Sequence, residues 1–231
     1  MSTHSGHRQR LKEQYQKNGL DGFTDIQVLE LLLFYAIPRI DTNPIAHALL
    51  ERFGTLDRVL DAPASELMQV DGIGPNAAHF LTLMTAASRY YQVRRSENVK
   101  ILNTITECGW YMLPFFHGRP NETVFLLCLD AKCKVLACRE IGEGSVNSAS
   151  VPIRRIVETA LMNKATSVVL AHNHPSGIAV PSSEDVVSTQ RTAAALAAVE
   201  ITLVDHIIVA DDDFVTLGQS GLYRQQEVHY G

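Results

Sequence analysis

Cysteine is scarce, with four in 231 residues, too few for the disulfide framework of a small secreted domain. None forms a Cys-x-x-Cys pair. Cys128, Cys133 and Cys138 recur five apart around an expected hairpin, where free thiols pack as small hydrophobes. Long hydrophobic runs are also missing. The densest, Val28 to Ile37 and Val124 to Leu129, fall well short of the roughly 20 residues of a membrane span. Basic charge is not in excess: the net charge is −5, so any nucleic-acid contact has to be local. Met1 to Lys17 is polar, and nothing in it marks the chain for secretion. These absences together predict a cytoplasmic protein with no membrane partner.

The apolar fraction of 46% and charged fraction of 19% are those of an ordinary globular chain. The length suits one large domain or two small ones. The first hundred residues read as helices. Thr24 and Asp25 can cap a segment from Ile26 to Ile37 whose apolar positions nearly surround the axis, as in a buried helix. Pro38 ends it. Asp41-Thr42-Asn43-Pro44 opens a second helix that closes at Gly54. Short helices follow around Leu56 to Leu60 and Ser65 to Val70, and a long one runs from about Pro75 to Arg94. The polar stretch Arg94 to Lys100 is the expected boundary, dividing the chain into residues 1–98 and 99–231. Beyond it, Val124 to Leu129, Lys134 to Ile141, Ser167 to Ala171, Ile201 to Ala210 and Phe214 to Leu217 read as strands. Helices are expected over Pro152 to Met162 and from Ser182 to about Val199, so the second half is mixed α and β.

Chemistry concentrates in residues 171–185, AHNHPSGIAVPSSED. His172 and His174 stand two apart where a buried strand ends, so both can project to one side. A loop bearing Pro and Gly leads to a helix whose first turn holds Asp185. Two imidazoles and one carboxylate, with a fourth position left for water, are the ligand set of a catalytic zinc site. A bare His-x-His more often marks a loop with two surface histidines. Ser182-x-x-Asp185 at fixed spacing tips the balance toward ligands.

His-x-His, seven residues, then Ser-x-x-Asp is similar to the JAMM motif of JAB/MPN metallopeptidases. The wider HNHPSG, the following PSSED and Leu203-Val204-Asp205-His206 resemble the RadC family in particular. That resemblance extends to LELLLFYAIPRIDTNPIAHALLERFG and VDGIGPNAA, and covers roughly residues 8 to 224. It implies an α+β protein: an all-helical N-terminal domain before a mixed α/β JAB/MPN domain of cytidine-deaminase-like fold. It implies Zn2+ held by His172, His174 and Asp185, with Ser182 hydrogen-bonding the water or the developing oxyanion. The family's general base is a glutamate at the start of the domain's first strand. Glu122 stands there, with Glu140 and Glu143 as alternatives. The implied activity is hydrolysis of a peptide or isopeptide bond in a protein or peptide substrate. Asp205-His206 is a candidate supporting pair for the metal or a structural hydrogen bond.

Val70-Asp71-Gly72-Ile73-Gly74 resembles the turn of a helix-hairpin-helix element spanning residues 70–75, in which Gly72, Ile73 and Gly74 would bring backbone N–H groups to a DNA phosphate. The basic residue often found just after such a turn is replaced by Pro75-Asn76-Ala77-Ala78, and residues 1–98 hold ten basic against eleven acidic side chains. A plain helix connection fits the same residues, and His79 reads as ordinary surface or core. Val151-Pro152-Ile153-Arg154-Arg155 replaces the Val-His-Pro-Arg-Glu common in relatives. The family's traditional name links it to DNA repair, so the second reading is a DNA-associated accessory protein whose JAMM domain is a non-catalytic scaffold. An HNH nuclease does not fit, because its three named residues are dispersed along the chain. A zinc deaminase does not fit either, for want of Pro-Cys-x-x-Cys. A two-metal nuclease would need more carboxylates.

Overall fold

The computed structural model of the chain describes residues 3–96, 101–144, 152–175 and 177–224. It divides into two compact units, Met1–Ser88 and Arg89–Gly231. The boundary expected at residues 98–99 lies outside the described residues, as does Val151.

The first unit is helical: α1 (Thr3–Asn18), α2 (Asp25–Ala36), α3 (Asn43–Phe53), α4 (Leu56–Asp61), α5 (Ala64–Leu67) and, up to Ser88, most of α6 (Pro75–Ser96). Thr24 and Gln27 close a capping box at the start of α2, satisfying two backbone N–H groups the helix cannot. Leu29 and Leu33 of α2 enter the main core beside Leu49, Leu67 and Leu81. The opposite side, Leu31 and Phe34, packs on Leu11 of α1. Coverage by α1 is why α2 is apolar on two sides; of its apolar residues only Tyr35 is exposed, at 62%. Arg8 ties α1 down by donating to the carbonyls of Ile37 (2.7 Å), Pro38 (2.9 Å) and Ile40, beyond the C-terminal turn of α2.

The α5–α6 connection has the glycine turn read in the sequence. Gly72 sits at φ 89°, with Ile45 Cδ1 2.7 Å from where a Cβ would be, so both conformation and packing require glycine. Ile73 is buried and its N–H returns to the Val70 carbonyl. Gly72 and Gly74 are exposed, and so is His79.

The second unit opens with α7 (Ile105–Met112) and a 3-10 turn at Leu113–Phe115. Then come β1 (Glu122–Leu129), β2 (Val135–Gly144), α8 (Ile153–Met162), β3 (Ser167–Asn173), α9 (Ser183–Ala197), β4 (Thr202–Ala210) and β5 (Asp213–Thr216). The sheet order is β2-β1-β3-β4-β5; β3 and β4 are parallel and the other pairings antiparallel. Alternate residues of the central strands feed two cores. Leu126, Cys128, Val168 and Leu170 meet Ile156 and Ala160 of α8 and Leu196 of α9. Phe125, Leu127, Val169 and Ala171 meet Cys108, Tyr111 and Met112 of α7. Burial on both faces accounts for the unbroken apolar runs of β1 and β3. With helices on both faces of a mixed sheet after an all-helical unit, the fold class is α+β. Among the described residues, no helix is long and apolar enough to cross a membrane.

Candidate metal centre

The centre forms where β3 ends, α9 begins and β1 starts. His172 is the penultimate residue of β3, paired with Val124 of β1 and Ile208 of β4. Its parity with Val168 and Leu170 aims it at the α9 side of the sheet. His174 lies just beyond the strand, held by its N–H to the Val209 carbonyl at 2.8 Å. The loop turns at Gly177, whose φ is 78°, and reaches Ser182, the N-cap of α9.

Asp185 is both helix cap and candidate ligand. Its Oδ2 accepts from the Ser182 N–H and hydroxyl, each at 2.8 Å, while its own N–H donates to Ser182 Oγ at 3.1 Å. This reciprocal capping box leaves Oδ1 free to face the histidines. The hydroxyl of Ser182, the residue expected to bond the water or the developing oxyanion, donates here to Asp185 Oδ2.

His172 Nε2 lies 2.9 Å from His174 Nε2 and 3.2 Å from Asp185 Oδ1. His174 Nε2 lies 3.7 Å from Asp185 Oδ2. One ligand atom from each of the three residues falls within 4.8 Å of the others. The three side chains could therefore hold a metal ion. His174 Nδ1 is 3.0 Å from the Ile178 carbonyl, which only accepts, so Nδ1 carries the hydrogen and Nε2 turns a lone pair inward. Two imidazole nitrogens with one carboxylate oxygen are a donor set that suits a borderline-soft divalent ion. Burial would raise the Asp185 carboxyl's pKa, but the Ser182 N–H and hydroxyl that donate to it pull the other way, and the group stays well below the usual carboxylate range.

Glu122, the first residue of β1, brings Oε1 to 3.9 Å from His172 Nε2 with its side chain 14% exposed. The two alternatives are engaged elsewhere. Glu140 pairs with Arg119 at 3.0 Å, and Glu143 accepts from Asn121 Nδ2 at 2.8 Å. The segment carrying Glu122 is clamped by the residue between the two histidines. Asn173 Oδ1 accepts from the Thr123 N–H at 2.8 Å, and its Nδ2 donates to the Asn121 carbonyl at 3.3 Å.

Asp205 and His206 share a structural hydrogen bond through the His206 backbone, while the carboxylate and the ring take different partners. Asp205 Oδ1 accepts from the backbone N–H groups of His206 (2.7 Å) and Gly218 (2.9 Å), and burial raises its pKa. The His206 ring points into the centre: its Nε2 meets His172 Nδ1 at 2.8 Å and its Nδ1 meets Thr189 Oγ1 at 2.6 Å. Burial, reinforced by the His172 ring, pushes the His206 pKa well below the ordinary imidazole range. Thr189, on α9 one turn after Asp185, had no signal of its own in the sequence. Gly72, Ile73 and Gly74 belong to the first unit.

The RadC-like JAB domain family matches residues 102–222, which contain every residue of the centre. Over 224 residues the chain is 33% identical to UPF0758 protein FN0909 of Fusobacterium nucleatum subsp. nucleatum, spanning 94% of this chain and 97% of that protein.

Proposed function

The chain belongs to the RadC-like JAB domain family, and on that premise we propose that it is a zinc-dependent hydrolase cleaving a peptide or isopeptide bond in a protein or peptide. The observation that carries this reading is the position of the Glu122 carboxylate, 3.9 Å from a nitrogen of the His172, His174 and Asp185 cluster. Three protein ligands with a carboxylate beside them are the arrangement of a hydrolytic centre, in which a coordination position stays open.

His172, His174 and Asp185 would hold the ion. Bound there, zinc supplies a Lewis acid and brings the pKa of its water to about 7. Glu122 takes the proton as water attacks the amide carbonyl, then delivers it to the leaving nitrogen, so the base of the first step is the acid of the second. Ser182 aims Asp185 through the capping box, and Asn173 keeps the first residues of β1 against the end of β3.

The test is turnover of quenched fluorescent peptide libraries and isopeptide-linked substrates by the zinc-loaded chain, with Glu122→Gln as control. Cleavage by the parent and not by the variant supports the proposal. Zinc binding with no turnover on either substrate class would favour the non-catalytic scaffold.

A further inference from the structure

Resting on the reading that His172, His174 and Asp185 hold zinc, we infer that Thr189 and His206 are positioning residues, forming a one-directional hydrogen-bond relay that sets which nitrogen of His172 is free for the metal. The relay starts at the Asp185 carbonyl oxygen, which can only accept. Thr189 Oγ1 is 2.5 Å from it. A hydroxyl has a single hydrogen, so Thr189 spends it there and offers only lone pairs to other neighbours. Its second neighbour is His206 Nδ1 at 2.6 Å; that nitrogen must be the donor.

His206 is 1% exposed, and its ring is hydrogen-bonded to no carboxylate among the described residues. A buried imidazole without an anionic partner is neutral. Its one ring hydrogen is on Nδ1, so Nε2 is an acceptor. That Nε2 lies 2.8 Å from His172 Nδ1, which therefore donates. His172 is left with its hydrogen on Nδ1 and a lone pair on Nε2, the atom facing His174 and Asp185. Reversing the relay would place a hydrogen on His172 Nε2 and block the ligand atom.

The two histidines are thus fixed by different means. His174 gives its Nδ1 hydrogen straight to a backbone carbonyl, whereas His172 depends on a side-chain hydroxyl two bonds away. A metal-bound histidine ordinarily donates to a carboxylate, carbonyl or water. A neutral imidazole in that place orients the ring without adding negative charge to a site that already holds Asp185 and Glu122. The relay also ties two ligands together, because it begins on the backbone of Asp185 and ends on His172.

The experiment uses the full chain with 15N-labelled histidine, as wild type, Thr189→Val, Thr189→Ser and His172→Ala. Long-range 1H–15N spectra at mildly alkaline pH report the His172 tautomer in the metal-free protein, and competition with a chromogenic chelator reports zinc affinity. We expect Nδ1–H at His172 in the wild type. Thr189→Val, which keeps the shape and removes the hydroxyl, should shift that tautomer and weaken zinc binding roughly 10- to 100-fold. Thr189→Ser should restore both. Unchanged affinity and tautomer in Thr189→Val would overturn the relay while leaving the zinc site standing. No zinc uptake by wild type, or equal uptake by His172→Ala, would instead overturn the zinc site. The wild-type tautomer needs no variant to fold, and Nε2–H there contradicts the relay in either case.

Discussion

The N–H of Thr123 donates to Asn173 Oδ1 at 2.8 Å, joining the strand that carries Glu122 to the residue between the two histidines. Both residues are buried, Thr123 at 0% and Asn173 at 6% exposure. The His-Asn-His triplet therefore does two things at once. Its outer residues belong to the candidate ligand cluster, and its middle residue, of opposite parity to His172, fixes the start of β1.

Asn173→Ala should leave zinc affinity within a few-fold of wild type and lower kcat by about 100-fold, the cost of a misplacement near 1 Å at a reacting centre. It should also cost about 1–3 kcal/mol of stability, because the Thr123 N–H stays buried without a partner. Zinc titration, steady-state kinetics and urea unfolding of the same preparation separate these effects.

Glu122→Gln should retain zinc and lose about 100- to 10,000-fold in kcat, the usual contribution of a positioned general acid–base. Glu140→Gln removes only the partly exposed pair with Arg119, and its kcat should stay close to the parent's. A larger loss in Glu140→Gln than in Glu122→Gln would reverse the assignment.

Thiol reactivity should follow burial. Cys108 and Cys128 are buried, which pushes their thiols up to about 12 and about 11 and keeps them as unreactive thiols at neutral pH. Cys133 is only half-buried. Iodoacetamide followed by peptide mass mapping should find Cys133 labelled first, and Cys108 and Cys128 labelled only after denaturation.

Gly109 lies in α7 where an added Cβ would sit 2.2 Å from the Phe214 ring. That ring is already held edge-on to Trp110, with centroids 5.2 Å apart. Gly109→Ala should destabilise the second unit by about 1–3 kcal/mol despite alanine's better helix propensity. Thermal unfolding followed by near-UV circular dichroism checks this through Trp110.

The strands that seat the centre are readable in the sequence, because β1 and β3 are buried on both faces and appear as continuous apolar runs. The cluster His172, His174 and Asp185 is readable for another reason: all three sit in one strand-loop-helix segment, where spacing along the chain becomes spacing in space. Glu122 lies fifty residues before His172 and reaches it through β1–β3 pairing, so only resemblance to a family singles it out. The Thr189 and His206 contacts depend on β3–β4 register and on how α9 packs, which no local pattern encodes. Adjacency even misleads at Asp205-His206, where the ring of one and the carboxylate of the other take different partners. α7 carried an unread signal, since Thr104 and Glu107 have capping-box spacing and form one. α1 carried little, because its described core contact is Leu11 alone among otherwise polar residues.

The central claim is that this centre is a metal site, and elemental analysis of the purified full chain beside a His172→Ala/His174→Ala variant tests it most directly. The account predicts about one zinc per parent chain, as three protein ligands around a single ion require, and none in the folded variant. A parent that stays metal-free after zinc is supplied, or a variant that retains its zinc, would contradict it.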